Sequence, residues 1–242
     1  GAGFEVGNRF TNDEWEGRVE AQHQSFVTAL GTLRGAAGVQ AFSRDTEGRN
    51  LEGGDSLLAP AQTDSVAGFI FEELDVSSQM TLQAAARIEH TQVDGLGRLD
   101  PLNPGVPLTA IGRDFTPFSA SLGGLYRLPG AHVFSLNGQY VERAPDAGEL
   151  FSAGVHEATG TFEIGNPDLK SERALGFDVS LRGRSDRVRA ELTVFRNNIN
   201  DFIFRSPLTD AEFEEREAEF DERFGVADDE AAGSKGRSDK SG

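Results

Sequence analysis

The chain has 242 residues, enough for one or two soluble domains or for part of a larger protein. Its 23 basic and 40 acidic residues give a net charge of −17, which argues against nucleic-acid binding because phosphate recognition needs a basic surface. The absence of cysteine excludes disulfides and thiolate metal sites. The sequence also contains no run of 18 apolar residues, which a transmembrane helix would need. The opening GAGFEVGNRF lacks the regions of a signal peptide, so we expect one to be absent or already removed.

Apolar and polar residues alternate with a period of two along much of the chain, and this alternation predicts β-strands. The eight predicted strands are 15–26, 31–44, 64–76, 79–92, 115–128, 131–143, 173–184 and 187–205. In the strand at 173–184 one face holds Leu175, Phe177, Val179 and Leu181. The opposite face of that strand is polar and includes Asp178 and Arg182. Each strand is therefore expected to have one apolar and one charged face.

The predicted connections alternate between short and long. Short ones lie near 27–30, 75–79, 129–130 and 183–186, and long ones at 45–63, 93–114, 144–172 and from 207 onward. Residues 1–14 are expected to end another long connection. This pattern is typical of an all-β, antiparallel up-and-down meander, and strands of about 10 or more residues favour a transmembrane barrel that is apolar outside. A soluble β-sandwich or lipocalin-like barrel is the alternative, although sandwich strands average about 5–6 residues.

The charged faces are expected to line a solvated barrel interior. The residues concerned are Arg18, Arg87, Arg182 and Arg189, with Glu16, Glu89 and Glu191 beside them. Opposite charges on neighbouring strands attract one another, so we expect ion-pair ladders across the sheet.

The last 35 residues differ from the rest of the chain. Residues 208–242 hold 12 acids and 5 bases, a net charge of −7. Thr209 and Glu212 have capping-box spacing, which predicts a helix near 210–224, and disorder is expected after about 228. We therefore expect two parts: a barrel segment at 1–207 and an acidic extracellular tail at 208–242.

The long connection from Arg143 to Glu172 carries the most detailed sequence. Pro145 cannot donate to a β-ladder, so it stops strand pairing there. Leu150 and Phe151 are apolar and need cover inside the loop. The pattern predicts neither a strand nor a regular helix, and the turn residues and apolar residues argue for an ordered loop. Long ordered loops are usually functional.

We expect this loop to be anchored at its base. The expected anchoring residues are Arg143, Pro145, Glu149, Leu150, Gly165, Asn166, Pro167 and Glu172. The antiparallel connection brings both loop ends to one rim, and the guanidinium of Arg143 suits carboxylates and carbonyls. Arg143 is therefore predicted to bond to Glu172, Glu149 or loop carbonyls. Asn166 is expected to cap a turn in which Pro167 presets the backbone.

Two motifs of this loop resemble a known family. RAPDAGELF followed by GNPDLKSE resembles the late-barrel signature of TonB-dependent outer-membrane receptors, R-x-P-x-x-x-E-L and then G-N-P-x-L-x-P-E. The segment ELTVFRNNINDFIF resembles their next hairpin. The resemblance is close over about 114–205, and Ser171 departs from it where the family usually has proline.

The resemblance implies part of a plugged transmembrane barrel of about 22 strands in the outer membrane of a Gram-negative bacterium. Such receptors bind scarce nutrients outside the cell and import them with energy passed from TonB through the plug. It also implies contact with membrane lipid and lipopolysaccharide. No plug or TonB box is recognisable, so the chain is expected to be an incomplete, internal piece that begins and ends in outer loops.

The stretch HEATGTFEIGNPDL resembles the receptor subgroup linked to zinc uptake. His156, with Glu157 or Glu163, could ligate Zn²⁺ through imidazole and carboxylate. The alternative is an ordinary surface histidine, because a single histidine without an H-x-H or H-x-x-x-H partner is weak evidence for a metal site. Zinc would be the transported ligand, and no cofactor is expected.

Three functions remain open at this point. The first is a transport receptor for a metal or metal chelate; the second is a passive porin-like barrel; the third is a soluble β-rich binding module. No G-x-S-x-G element or phosphate loop is present, and no catalytic pair can be assigned, so an enzyme is not expected. The sequence does not name the ligand.

Overall fold

The computed structural model of the chain describes residues 7–51, 56–97, 106–156, 161–185 and 187–207. The chain divides into two units, Gly1–Ile203 and Phe204–Gly242, and the elements named below all lie in the first. Residues 204–207 of the second unit have no regular secondary structure. The acidic tail at 208–242 lies outside the described residues, so its helix and the boundary at 207 stay predictions. No helix in the described ranges is long and apolar enough to cross a membrane.

One large antiparallel sheet dominates the first unit. The elements are β1 (Asn8–Thr28), β2 (Gly31–Asn50), β3 (Leu58–Asp75), β4 (Met80–Gly97), β5 (Thr109–Phe115), β6 (Phe118–Leu128), β7 (His132–Arg143), α1 (Ala147–Phe151), β8 (Ala153–His156), β9 (Thr161–Ile164), β10 (Glu172–Arg184) and β11 (Arg189–Asn200). The large sheet has the order β1-β2-β3-β4-β6-β7-β10-β11, with β5 also paired to β4, while β8 and β9 form a small sheet. The predicted meander is confirmed. Within the described residues it is not closed into a barrel.

The strands extend further on the long-connection side than the alternation predicted. Much of the predicted connections at 45–63 and 93–114 is strand, and β1 begins at Asn8 rather than at 15. Arg44 Nε donates to Glu14 Oε2 at 2.5 Å on one face of β1 and β2. Arg49 Nη2 donates to Glu47 Oε1 at 2.9 Å on the other. Where both faces are polar, a period of two disappears from the sequence, and only backbone pairing identifies the strand.

Two further strand predictions are corrected by the structure. The strand predicted at 115–128 begins only at Phe118 of β6, since Phe115 ends β5 and Pro117 between them has no N–H to donate to a ladder. The last strand, predicted to end at 205, ends at Asn200.

The register separates apolar from polar side chains, as the alternation predicted. Leu181 lies opposite Leu192, and Val179 lies opposite Val194, across β10 and β11. Leu192 and Val194 are 67% and 66% exposed. Leu175, Phe177, Val179 and Leu181 are also exposed rather than packed beneath protein. Continuous exposed apolar surface of this kind is uncommon in soluble monomers, which argues against the soluble sandwich.

The opposite face carries charged side chains that pair with one another. Arg182 Nη2 donates to Glu191 Oε1 at 3.0 Å across β10 and β11, so the predicted cross-strand ion pair is confirmed there. Arg87 Nη2 donates to Glu89 Oε2 at 2.6 Å, within one strand rather than between strands. These pairs and the apolar residues lie on opposite sides of the same sheet.

At Arg18 the ion pair lies within strand β1 rather than across two strands. Arg18 donates to Glu20 Oε2 at 2.7 Å and lies 4.0 Å from the centroid of the Phe69 ring, a cation–π contact. Glu16 instead accepts a hydrogen bond from Gln40. The Phe69 ring belongs to β3, which lies two strands away from β1 in the sheet. The sequence of β1 alone therefore could not have predicted this contact.

Candidate functional site

The β7–β10 loop, residues 144–171, contains regular structure that the sequence did not predict. Helix α1 is short, but Asp146 caps it: Glu149 N–H donates to Asp146 Oδ1 at 2.8 Å. In return Asp146 N–H donates to Glu149 Oε2 at 2.8 Å, which completes a capping box. The D-x-x-E spacing could have revealed this start. A helix of five residues is not stable alone, so packing must hold it in place.

An apolar cluster supplies that packing. Leu150 and Phe151 are 1% and 2% exposed, so the predicted need for apolar cover is confirmed. The cluster joins residues of β3, β4 and β5 to the loop: Leu58, Ala61, Val93, Phe115, Ala147, Leu150 and Phe151. Val93 has no exposed surface although it lies on the same face as Arg87 and Glu89. The loop therefore folds onto the polar face of the sheet, at its long-connection end.

Gly95 makes room for the ring of Phe151. A Cβ atom at Gly95 would overlap the Phe151 ring, and one at Gly97 would come within 3.5 Å of it. Both glycines belong to β4, where glycine normally weakens a strand. Because neither glycine has a side chain, the backbone of β4 is open here and the loop can pack directly against it. No local sequence pattern indicates that role.

Strands β8 and β9 form a hairpin that links the loop to β3. Ala153 N–H donates to Leu57 O at 2.9 Å. A Cβ atom at Gly154 would lie 2.6 Å from Ser56 O, so only glycine allows this close approach. The sequence did not predict the hairpin, because four-residue strands are too short for alternation to be recognised.

The turn after the hairpin follows the sequence prediction. Asp168 N–H donates to Asn166 Oδ1 at 2.9 Å, and Leu169 N–H donates to Asn166 O at 3.3 Å. Asn166 thus caps its own turn, with Pro167 at the second position. Gly165 N–H donates to Ser152 O at 2.6 Å and ties this turn to the end of α1.

Arg143 connects both ends of the loop. It donates to Glu149 Oε2 at 2.9 Å and Oε1 at 3.1 Å, and to Ala144 O at 3.4 Å. Its Nη2 lies 3.6 Å from Glu172 Oε2. Glu172 also accepts from Ile203 N–H at 3.1 Å. These are the contacts predicted for Arg143, whereas their importance for loop position stays a prediction, as do the other anchoring roles. Pro145 is fully buried beside them.

A second arginine holds the far side of the loop. Arg113 of β5 donates to Leu169 O at 3.4 Å and to Asp168 Oδ1 at 3.4 Å. The sequence did not predict this contact, because Arg113 lies 55 residues before Asp168.

Two of the three residues of the metal hypothesis lie together. His156 Nδ1 is 2.9 Å from Glu163 Oε1, and both side chains are largely buried. The His156 ring also makes an edge contact with Phe10, with centroids 6.3 Å apart. Glu157 lies outside the described residues. Among the residues that are described, no group of three or more His, Asp or Glu side chains is arranged to hold a metal ion.

Comparison with protein families identifies a family to which this sheet and loop belong. The model of the family "TonB dependent receptor-like, beta-barrel" matches residues 2–223. The chain belongs to the TonB-dependent receptor β-barrel family. The resemblance drawn from the loop motifs is thereby confirmed at the level of the family.

Solved TonB-dependent receptors have the same fold. A double mutant of the Serratia marcescens hemophore receptor HasR, in complex with HasA and heme, covers 81% of this chain with a TM-score of 0.67 at 14% identity. The copper transporter OprC covers 81% with a TM-score of 0.64 at 17% identity. The Escherichia coli K12 ferric-catecholate import receptor Fiu covers 79% with a TM-score of 0.55 at 15% identity. This chain spans 31–34% of their lengths.

Proposed function

We propose that this chain forms part of the wall of an outer-membrane receptor that binds a scarce nutrient and imports it into the periplasm. The β7–β10 loop carries this proposal, since Leu150 and Phe151 fix it against the polar face of the sheet. A loop held in this way presents a shaped surface to a ligand, whereas a loose loop would lose entropy on binding. Uptake would draw energy from TonB through a plug.

The exposed apolar face supports a location in the outer membrane of a Gram-negative bacterium. Leu192, Val194 and Phe177 are each more than half exposed and lie on the side opposite Arg182. Burying this face in lipid removes a hydrophobic surface from water, while the charged face remains hydrated. Lipid and lipopolysaccharide are the partners we propose for the apolar face.

We further propose a metal or metal chelate as the ligand, with zinc as the first candidate. His156 Nδ1 faces Glu163, so a metal ion would bind through the other ring nitrogen, with the carboxylate orienting the imidazole. This assigns Glu163 a supporting role rather than that of a ligand. Glu157, the next residue in the sequence, is the carboxylate ligand we propose.

Uptake by the complete receptor that contains this chain tests the transport proposal. Cells expressing it are compared with and without a functional TonB system, using radiolabelled Zn²⁺ and ferric-catecholate as probes, and membranes are separated by density. We expect the receptor in the outer-membrane fraction and uptake of at least one probe only with TonB. Equal uptake without TonB would identify a passive pore instead, and recovery in the soluble fraction would contradict the membrane location.

Calorimetric titration of the purified receptor with Zn²⁺ tests the ligand at neutral pH, where an ordinary imidazole is mostly uncharged. His156→Ala should weaken binding by roughly tenfold or more, because a ligand or its orientation is lost. His90→Ala is the matched control, since His90 is an exposed histidine beside Asp114. Equal affinity of all three proteins would return His156 to a structural role while leaving TonB-dependent transport unaffected.

A further inference from the structure

A cluster of arginines lies at the short-turn end of the polar face. The lining of a cavity of about 510 Å³ includes four arginines and one acid beside His132 and three apolar residues; the charged residues are Arg127, Arg182, Arg184, Arg189 and Glu191. Arg184 is the last residue of β10, whereas the β7–β10 loop meets that strand at Glu172. The two sites are about 40 Å apart along the strand at 3.3 Å per residue. This cluster is therefore separate from the loop and does not depend on the proposed transport function.

Two of these arginines lie opposite each other on neighbouring strands. Arg182 is bonded to Glu191 at 3.0 and 3.2 Å, and Arg127 donates to Thr81 Oγ1 at 3.1 Å. Arg184 lies directly opposite Arg189 in the β10–β11 register. Neither has an ion pair with any residue that the structure describes. Like charges directly opposite one another destabilise a sheet.

The side chains of the cluster indicate which class of ligand it would bind. The four arginines have planar forks that bind phosphate through paired N–H···O bonds, and they lie together in a chain whose total net charge is −17. We propose that this cluster binds a phosphate-class oxyanion, held chiefly between Arg184 and Arg189. An anion there replaces the repulsion between the two guanidinium groups by attraction to a shared partner.

The position of the cluster favours a soluble phosphate compound over a lipid headgroup. Arg182 and Arg184 lie on the face opposite Leu181, and that apolar face is the one suited to lipid. The cavity falls within the range of about 300–1,000 Å³ that is usual for small-molecule sites, so it has room for a phosphate that carries a small organic group.

Calorimetric titration of the complete protein in detergent, with pyrophosphate as the probe, tests this proposal at low salt. We expect Arg184→Gln with Arg189→Gln to weaken binding by roughly tenfold or more, because the two charge-assisted contacts are lost. The matched control is Arg44→Gln with Arg49→Gln, which removes the same charge near the long-connection end of β2. The control should change affinity less than twofold, since only long-range attraction is altered. Equal losses in both double variants would overturn the site.

Arg189→Glu provides a variant that should fold at least as well as the parent. A glutamate there can pair with Arg184 as Glu191 pairs with Arg182. We expect a higher melting temperature and no pyrophosphate binding. A parallel titration with bilayer discs containing phosphatidylglycerol distinguishes the sources of phosphate. Saturable binding of pyrophosphate that depends on Arg189 supports the proposal, whereas binding to the discs alone, or unchanged pyrophosphate binding by Arg189→Glu, refutes it.

Discussion

Removing the Phe151 side chain should release the β7–β10 loop and leave the sheet intact. Phe151 is 2% exposed and packs in the cluster with Val93 and Leu150. Phe→Ala in a packed core costs about 3–5 kcal/mol. Helix α1 has no stability of its own, so we assign this loss to opening of the loop. Each 1.4 kcal/mol changes an equilibrium constant tenfold, so the population of the open loop should rise roughly 100-fold or more.

Hydrogen exchange measured by mass spectrometry on the receptor in detergent is the assay. Amides of 147–156 should exchange faster in Phe151→Ala, while those at the centres of β3 and β4 should keep their protection. Phe177→Ala is the matched control, because Phe177 is 52% exposed on the opposite face. Unchanged exchange in the loop would show that Phe151 does not hold it. Faster exchange throughout β3 and β4 would show that the loop and sheet unfold together, which refutes the separation argued here.

Three further changes test the base and the packing surface of the loop. Arg143→Ala removes the bonds to Glu149, and because Arg143 is 43% exposed we expect the loop to lose about 1 kcal/mol or less. The loop should then exchange faster and ligand uptake should slow, while the melting temperature of the barrel stays unchanged; a lower melting temperature would contradict this. Asp146→Ala removes the cap of α1 and should cost the loop about 1 kcal/mol, and exchange equal to that of the parent would mean that the capping box is not needed. Gly95→Ala places a methyl group against the Phe151 ring and should raise loop exchange, but much less when Phe151 is already alanine; equal effects in both backgrounds would exclude this contact as the cause.

The sequence by itself was sufficient to predict the meander and the two faces of its strands. A strand with one apolar and one polar face alternates in polarity, so the pattern at Leu175–Leu181 predicts both the strand and the residues that share a face. The loop motifs were equally informative, because turn residues such as Asn166 act through bonds to their own neighbours. The contacts of Arg143 were predictable since the antiparallel connection alone brings Glu172 to the same rim.

Only the tertiary structure decided where the strands end and how the loop is held. Near Glu14 and Arg44 both faces of the strands carry polar side chains, so the sequence there has no period of two. Gly95 makes room for Phe151, and Arg113 reaches Leu169, across separations of more than 50 residues. These contacts depend on strand register, and register emerges from the whole sheet rather than from any one segment. Local patterns predict what each segment requires, but the partner that satisfies it is determined only when the sheet assembles.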